Sequence, residues 1–188
     1  MDNELDGLLK NKYIILLISI LLLGFILRLY YFNINSAVWW DEADYLAETK
    51  KIALSESHPE LNDYELNPRR PFLLPLIWAF LYKIGLGETS FRFVELLFSF
   101  STLILVYLFG KELFDRKIAL IATFLMSMLW LDLFFTARLL TDMPAATLWV
   151  LTLYLFYKGY VKDKNPKFVW LAGLSFGFAI FSRASNLL

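Results

Sequence analysis

The chain has 188 residues, 59% of them apolar and 18% aromatic, and a mean hydropathy of +0.55, which is more apolar than an ordinary soluble domain. Eighteen acidic side chains balance eighteen basic ones, so net charge gives no sign of a nucleic-acid partner, and none is expected. The lack of cysteine excludes disulfides and cysteine-ligated zinc or iron–sulfur centres, and the single histidine, His58, excludes a histidine-rich metal site.

Residues 1–12 are short and polar and carry Lys10 and Lys12. Residues 13–32 are apolar except for Ser19 and Arg28. They match the roughly 20 residues a helix needs to cross a bilayer, and without a small-residue cleavage site they read as a retained anchor. Residues 33–71 form the long polar segment. Within it, 42–56 has helix-forming composition with Leu46, Ala53 and Leu54 on one side, and is expected as a helix lying at the membrane interface. His58-Pro59 ends it, because the residue before proline is pushed out of helical geometry.

Residues 72–84 are apolar but short for a span, and suit a re-entrant or in-plane helix. Four runs, about 91–110, 117–137, 143–160 and 168–188, reach spanning length. The predicted fold is an all-α membrane protein. It has five transmembrane helices and an external loop, 33–90, carrying interfacial helices after the first span. Residues 1–188 are read as one N-terminal transmembrane module.

Basic residues orient the spans. With Lys10 and Lys12 cytoplasmic, the next inner loops hold Lys111, Arg116 and Lys117, then Lys158, Lys162, Lys164 and Lys167. Treating 72–84 as a full span would reverse every later loop and break this pattern. The expectation is a multi-pass plasma-membrane protein with a cytoplasmic N-terminus and both 33–90 and 136–142 outside. Arg28, Glu95, Asp132 and Arg183 then fall near the outer ends of their helices. They either snorkel to the interface or line a polar cavity in the outer half of the bundle.

Two external stretches concentrate chemistry. In Trp39-Trp40-Asp41-Glu42-Ala43-Asp44-Tyr45, three carboxylates crowd beside two tryptophans. Asp41 reads either as a helix N-cap or as a rigidly held functional acid, with Glu42 suited to the helix dipole. The tryptophans read as an interfacial belt or as a stacking wall for a sugar. In Arg138-Leu139-Leu140-Thr141-Asp142-Met143-Pro144, Thr141 or Asp142 caps the next span, or Arg138 and Asp142 act together on a phosphate and a reacting group. Asn67-Pro68-Arg69-Arg70-Pro71 is a third site, where paired arginines suit either a donor phosphate or lipid headgroups.

This order of stretches resembles the membrane glycosyltransferases of the GT-C fold: an external Asp-Glu after the first span, Arg-Pro before a short apolar helix, Gly85 seven residues before Arg92, and an Arg-x-x-x-Asp-x-Pro link. It is most similar to the protein O-mannosyltransferase and lipid A aminoarabinose-transferase branch, over nearly the whole chain from about Leu16. The resemblance implies a polyprenyl-phosphate sugar as donor and a protein or lipid acceptor. It implies Asp41 as catalytic base, with Glu42 and Asp142 as the other acids of the site. Arg69, Arg70 and Arg138 would face the donor phosphate, and Trp40, Tyr45, Arg92 and Arg183 would contact sugar or lipid. Asp44 departs from the family, since some relatives carry a base there. No cofactor is certain, and a divalent metal through Asp41 and Asp142 is left open. Family members usually carry more spans, so a further C-terminal part or a partner subunit is expected. The expected reaction is transfer of the sugar to an acceptor hydroxyl with inversion. Two other functions compete with it: a non-catalytic module binding polyprenyl-phosphate lipid or a partner, and, ranked below it, a transporter, for which no internal repeat is seen.

Overall fold

The computed structural model of the chain describes residues 2–34, 38–54 and 70–183. Among these the regular elements are helical, as the apolar runs predict. The first run extends toward the N-terminus as α1 (Asp2–Ile34), followed by α2 (Trp40–Leu54), α3 (Leu73–Lys83) and α4 (Glu88–Leu113). The run predicted at 117–137 is divided into α5 (Arg116–Met128) and α6 (Trp130–Phe135). Next comes α7 (Asp142–Phe156), prolonged by a π-helical turn (Tyr157–Lys162), and then α8 (Pro166–Ser182). The His58-Pro59 stop and Arg69 lie outside the described residues. Asn11–Phe32 and Glu88–Leu113 are long and apolar enough to cross a membrane as unbroken helices. The helices matching the other three expected spans are shorter, at 13, 15 and 17 residues for α5, α7 and α8.

The helices pack with small and hydroxylated residues inside and large apolar ones outside. On α8 the buried face is Ala172, Ser175, Ala179 and Ser182, spaced at three and four residues, while Trp170, Leu174 and Phe181 are exposed. Ser175 Oγ donates to the Leu148 carbonyl at 3.0 Å, joining α8 to α7. The Thr102 and Thr147 hydroxyls meet at 2.7 Å between α4 and α7. Such pairing suits a lipid surround, where apolar burial gives no preference for helix contact over lipid contact and close approach and hydrogen bonds decide. A larger apolar core lies at one end of the bundle. There Tyr45 and Leu46 of α2, Leu74 and Trp78 of α3, Phe91 of α4 and Leu139 cluster, with Trp78 and Phe91 stacked at 5.7 Å.

The break at Leu129 occurs with neither proline nor glycine nearby. It re-phases the helix. On α5 the buried positions are Ala119, Leu120, Thr123 and Ser127, so an unbroken helix would next bury 130, 131 and 134. Instead Trp130 and Leu131 are exposed and Asp132 and Leu133 are buried. Leu129 takes ψ 112°, its N–H bonds to the Met126 carbonyl at 3.3 Å, and its own carbonyl starts α6 by accepting from Leu133. The five-residue step from Ser127 to Asp132, between four-residue steps on either side, is the trace of this slip in the sequence.

Between the π-helical turn and α8 the backbones come very close. A Cβ on Gly159 would lie 2.8 Å from Val169 N and 2.8 Å from Phe168 Cβ. Backbone cannot yield as a side-chain tip can, so Gly159→Ala is expected to destabilise. Overpacking costs about 1–3 kcal/mol, which outweighs the roughly 1 kcal/mol that alanine gains in helix propensity. A lowered melting temperature in detergent checks this. Near the same end Lys162 pairs with Glu112, tying the α4 end to the turn after α7. Both predicted basic loops therefore share one end of the bundle, and both acidic stretches share the other.

Candidate functional site

The α2 N-terminus is held by Glu42. The Trp39 carbonyl accepts the first helical bond, from Ala43 N–H at 2.9 Å, so Trp39 is the cap residue and Glu42 is the third residue of the helix. From there Glu42 Oε2 accepts the Trp39 N–H at 2.6 Å, the acidic half of a capping box. Asp41 is thus inside the first turn and does not cap it. Glu42 is fully buried and does more: Oε1 accepts the Leu139 N–H at 2.8 Å, and Oε2 lies 3.4 Å from Arg138 Nη1. One carboxylate therefore ties the loop after α1 to the link before α7. Both acidic stretches meet through Glu42.

Arg138 completes the tie. It is buried, with its guanidinium 4.1 Å from the Trp39 ring centre and 4.9 Å from that of Phe134. Trp39 and Phe134 are 5.2 Å apart, and Phe134 stacks on Trp130 at 5.1 Å. A desolvated cation over ring faces is held by their quadrupoles. Arg92 of α4 reaches the same link, donating from Nη1 to the Ala137 carbonyl at 3.1 Å.

Asp41 is turned the other way. It is exposed, has no hydrogen bond or ion pair among the described residues, and lines an open cavity of about 460 Å³ with Val38, Trp39, Trp40 and Leu140. Trp40 is 92% exposed beside it. The neighbouring carboxylates thus differ sharply, one consumed by backbone and arginine contacts and one presented at a cavity mouth.

Arg70 lies before α3 and pairs with Asp44 through Nη2. Its guanidinium is 5.6 Å from the ring centre of Tyr45, which is buried in the core cluster. Burial opposes the charged form of Arg70, but the Asp44 hydrogen bond and charge outweigh it and raise the pKa above the usual arginine value. Nη1 has no hydrogen-bond partner among the described residues. Asp44, the departure from the family pattern, is therefore the anchor of Arg70. Asp142 heads α7 and pairs with Arg183, which ends α8, and both are half-buried.

The charges expected within spans do not snorkel where they are described as buried. Arg28, Glu95 and Asp132 are at most 4% exposed. Arg28 pairs with Asp132, donates from Nε to Ser99 Oγ at 2.7 Å and from Nη1 to the Gly24 carbonyl at 3.1 Å. Ser99 Oγ is 2.9 Å from Thr136 Oγ1. Neither Glu95 oxygen has a hydrogen-bond partner among the described residues. Two acid–base pairs thus form, Arg28 with Asp132 and Arg183 with Asp142. Among the described residues no three acid or histidine side chains gather in a way that could hold a metal.

Sequence reasoning placed Asp41, Glu42, Arg138 and Asp142 at one end of the bundle but did not find Ser99, Thr136 or Gly24. Those three are ordinary residues of apolar helices until Arg28 and Asp132 are seen to meet.

Residues 69–188 match the family described as dolichyl-phosphate-mannose-protein mannosyltransferase. A curated protein of Aquifex aeolicus (strain VF5), described as uncharacterized, is 26% identical over 181 residues, covering 93% of this chain and 35% of that protein. The chain thus spans about a third of that relative's length. No solved structure matches.

Proposed function

The chain belongs to the dolichyl-phosphate-mannose-protein mannosyltransferase family, and from that premise we propose that it carries the acid-bearing end of a membrane glycosyltransferase site. The donor is a polyprenyl-phosphate sugar, mannose by the family's description, and the acceptor is a hydroxyl on a protein or lipid at the external face. Five membrane crossings place both acidic stretches there, with α5 and α6 together making one of them.

The observation that carries this reading is the separation of roles between Asp41 and Glu42. Glu42 fixes the frame, while Asp41 is exposed on that frame, at the mouth of a cavity walled by Trp40 and Leu140. The acceptor oxygen attacks the anomeric carbon, and its proton passes to the Asp41 carboxylate. The bond from that carbon to the phosphate oxygen breaks, its electron pair leaves with the phosphate, and one displacement inverts the configuration. A phosphate leaving group needs charge stabilisation more than a proton. Arg70 is the cation assigned to that charge, with Asp44 holding one arm of its fork. Arg69 is its sequence neighbour. Arg138 and Arg92 steady the link, and Asp142 with Arg183 sets the start of α7.

The test is sugar transfer by the complete protein carrying Asp41→Asn. A folded, inactive protein supports the assignment. Full transfer by the folded variant removes Asp41 as base, and lipid binding without any transfer by the wild type favours a non-catalytic module.

A further inference from the structure

At the end opposite Asp41, the turn joining α7 to α8 leaves two adjoining cavities. One, of about 520 Å³, is lined by Gly159, Tyr160, Lys164, Pro166 and Val169. The other, of about 540 Å³, runs along α8 and is lined by Pro166, Val169, Trp170, Gly173 and Leu174. Pro166 and Val169 belong to both, so the two form one depression with a cationic end and an apolar end. Along α8 it stays open because a Cβ on Gly173 would meet nothing within 4 Å.

The cationic end is set up by its neighbours. Lys162 is engaged by Glu112, and Lys158 lies 4.8 Å from the Phe168 ring centre and 5.8 Å from that of Tyr154. Lys164 has no ion pair among the described residues, and its φ of 48° is a conformation that non-glycine residues seldom hold without surrounding constraint. The loops at this end carry Lys111, Arg116, Lys117, Lys158, Lys162, Lys164 and Lys167 against Glu112, Asp115 and Asp163, a formal excess of four positive charges. Tyr160 and Trp170 flank the depression, 67% and 81% exposed. Aromatic rings of this kind settle at the headgroup level of a bilayer.

We propose that this depression binds an anionic glycerophospholipid of the leaflet on that side. Its phosphate headgroup sits on Lys164 beside Tyr160, and one acyl chain lies along Trp170, Gly173 and Leu174. Charge complementarity selects this occupant: a zwitterionic lipid brings its own cation to the lysine end, and free phosphate uses only that end. The proposal is independent of the sugar-transfer reading, since none of these residues belongs to that site.

The experiment delipidates the complete protein in detergent and titrates it with phosphatidylglycerol or phosphatidylcholine, counting bound lipid by native mass spectrometry. Phosphatidylglycerol is expected to bind at roughly fivefold lower concentration, the effect of about one basic side chain at an anionic headgroup. Lys164→Gln should erase that preference. Gly173→Phe, filling open space, should lower phosphatidylglycerol binding several-fold, and Trp170→Ala makes the same check without added bulk. Equal binding of both lipids overturns the proposal, as does a preference that survives Lys164→Gln. So does phosphatidylglycerol binding that is untouched by both groove variants or abolished by millimolar inorganic phosphate.

Discussion

Asp41→Asn is expected to lower the transfer rate of the complete protein by about 10²–10⁴-fold, the usual contribution of a positioned general base. Its melting temperature should hardly move. Asn keeps the size of Asp, and Asp41 is exposed with no partner among the described residues, so the loss is limited to the interaction of one carboxylate with the α2 dipole, about 0.3–1 kcal/mol. Glu42→Gln supplies the contrast one residue later. Glu42 accepts backbone N–H groups with both oxygens, and glutamine puts an N–H group where one of those oxygens must accept. The resulting buried mismatch costs about 1–3 kcal/mol, more where the lost acceptor was charged. That variant should lose thermal stability and activity together. Asp41→Asn should lose activity alone, measured as kcat with a lipid-phosphate sugar beside a thermal melt. A melting temperature that falls as far for Asp41→Asn as for Glu42→Gln would mean that Asp41 is part of the frame.

The adjacency of these two carboxylates shows what the sequence can and cannot disclose. The Asp-Glu pair after the first apolar run is plain in the sequence, and the basic loops place it at the end of the bundle away from the lysines. Which of the two points inward depends on where the helix begins, and a single-residue shift exchanges them. The capping box is signalled by an acid three residues after the cap, but the cap here is Trp39 and not Ser or Thr, so the usual signature is missing. Arg138 shows a similar limit. In the sequence it is an arginine four residues before an acid in a short link, suited to an incoming phosphate. In the structure it is stacked on Trp39 and Phe134, and its partner is Glu42, 96 positions away. Helix positions come from local composition and were mostly legible to within a few residues, though α1 begins at Asp2, well before the apolar run at 13–32. The break at Leu129 was not, because no proline or glycine marks it and only the spacing of polar residues changes.

Breaking the pair of Arg28 and Asp132 should be the most destabilising change in the bundle, and the two halves should not be equivalent. The pair joins α1 to α6, is buried, and recruits Ser99 of α4 and the Gly24 carbonyl. Removing one partner of a buried pair costs about 3–5 kcal/mol, because the other is left charged in a low-dielectric site. The remaining partners escape that cost differently. After Arg28→Met, Asp132 can bind a proton and keep Ser99 as a neutral hydrogen-bond partner. After Asp132→Leu, Arg28 cannot shed its proton, so a guanidinium stays buried with only Ser99 and Gly24 for company. Asp132→Leu should therefore melt at the lower temperature. The double variant should recover most of the loss, since two apolar side chains of similar bulk avoid both desolvation costs. The same reasoning bears on the break at Leu129, whose re-phasing brings Asp132 inward. With Asp132 apolar and Arg28 gone, the buried pair that rewards the re-phased α6 is lost, and the protein should tolerate substitutions at Leu129 that the wild type does not. Thermal melts of the two single variants and the double variant in one detergent decide the matter. Additive losses would show that the two side chains contribute independently.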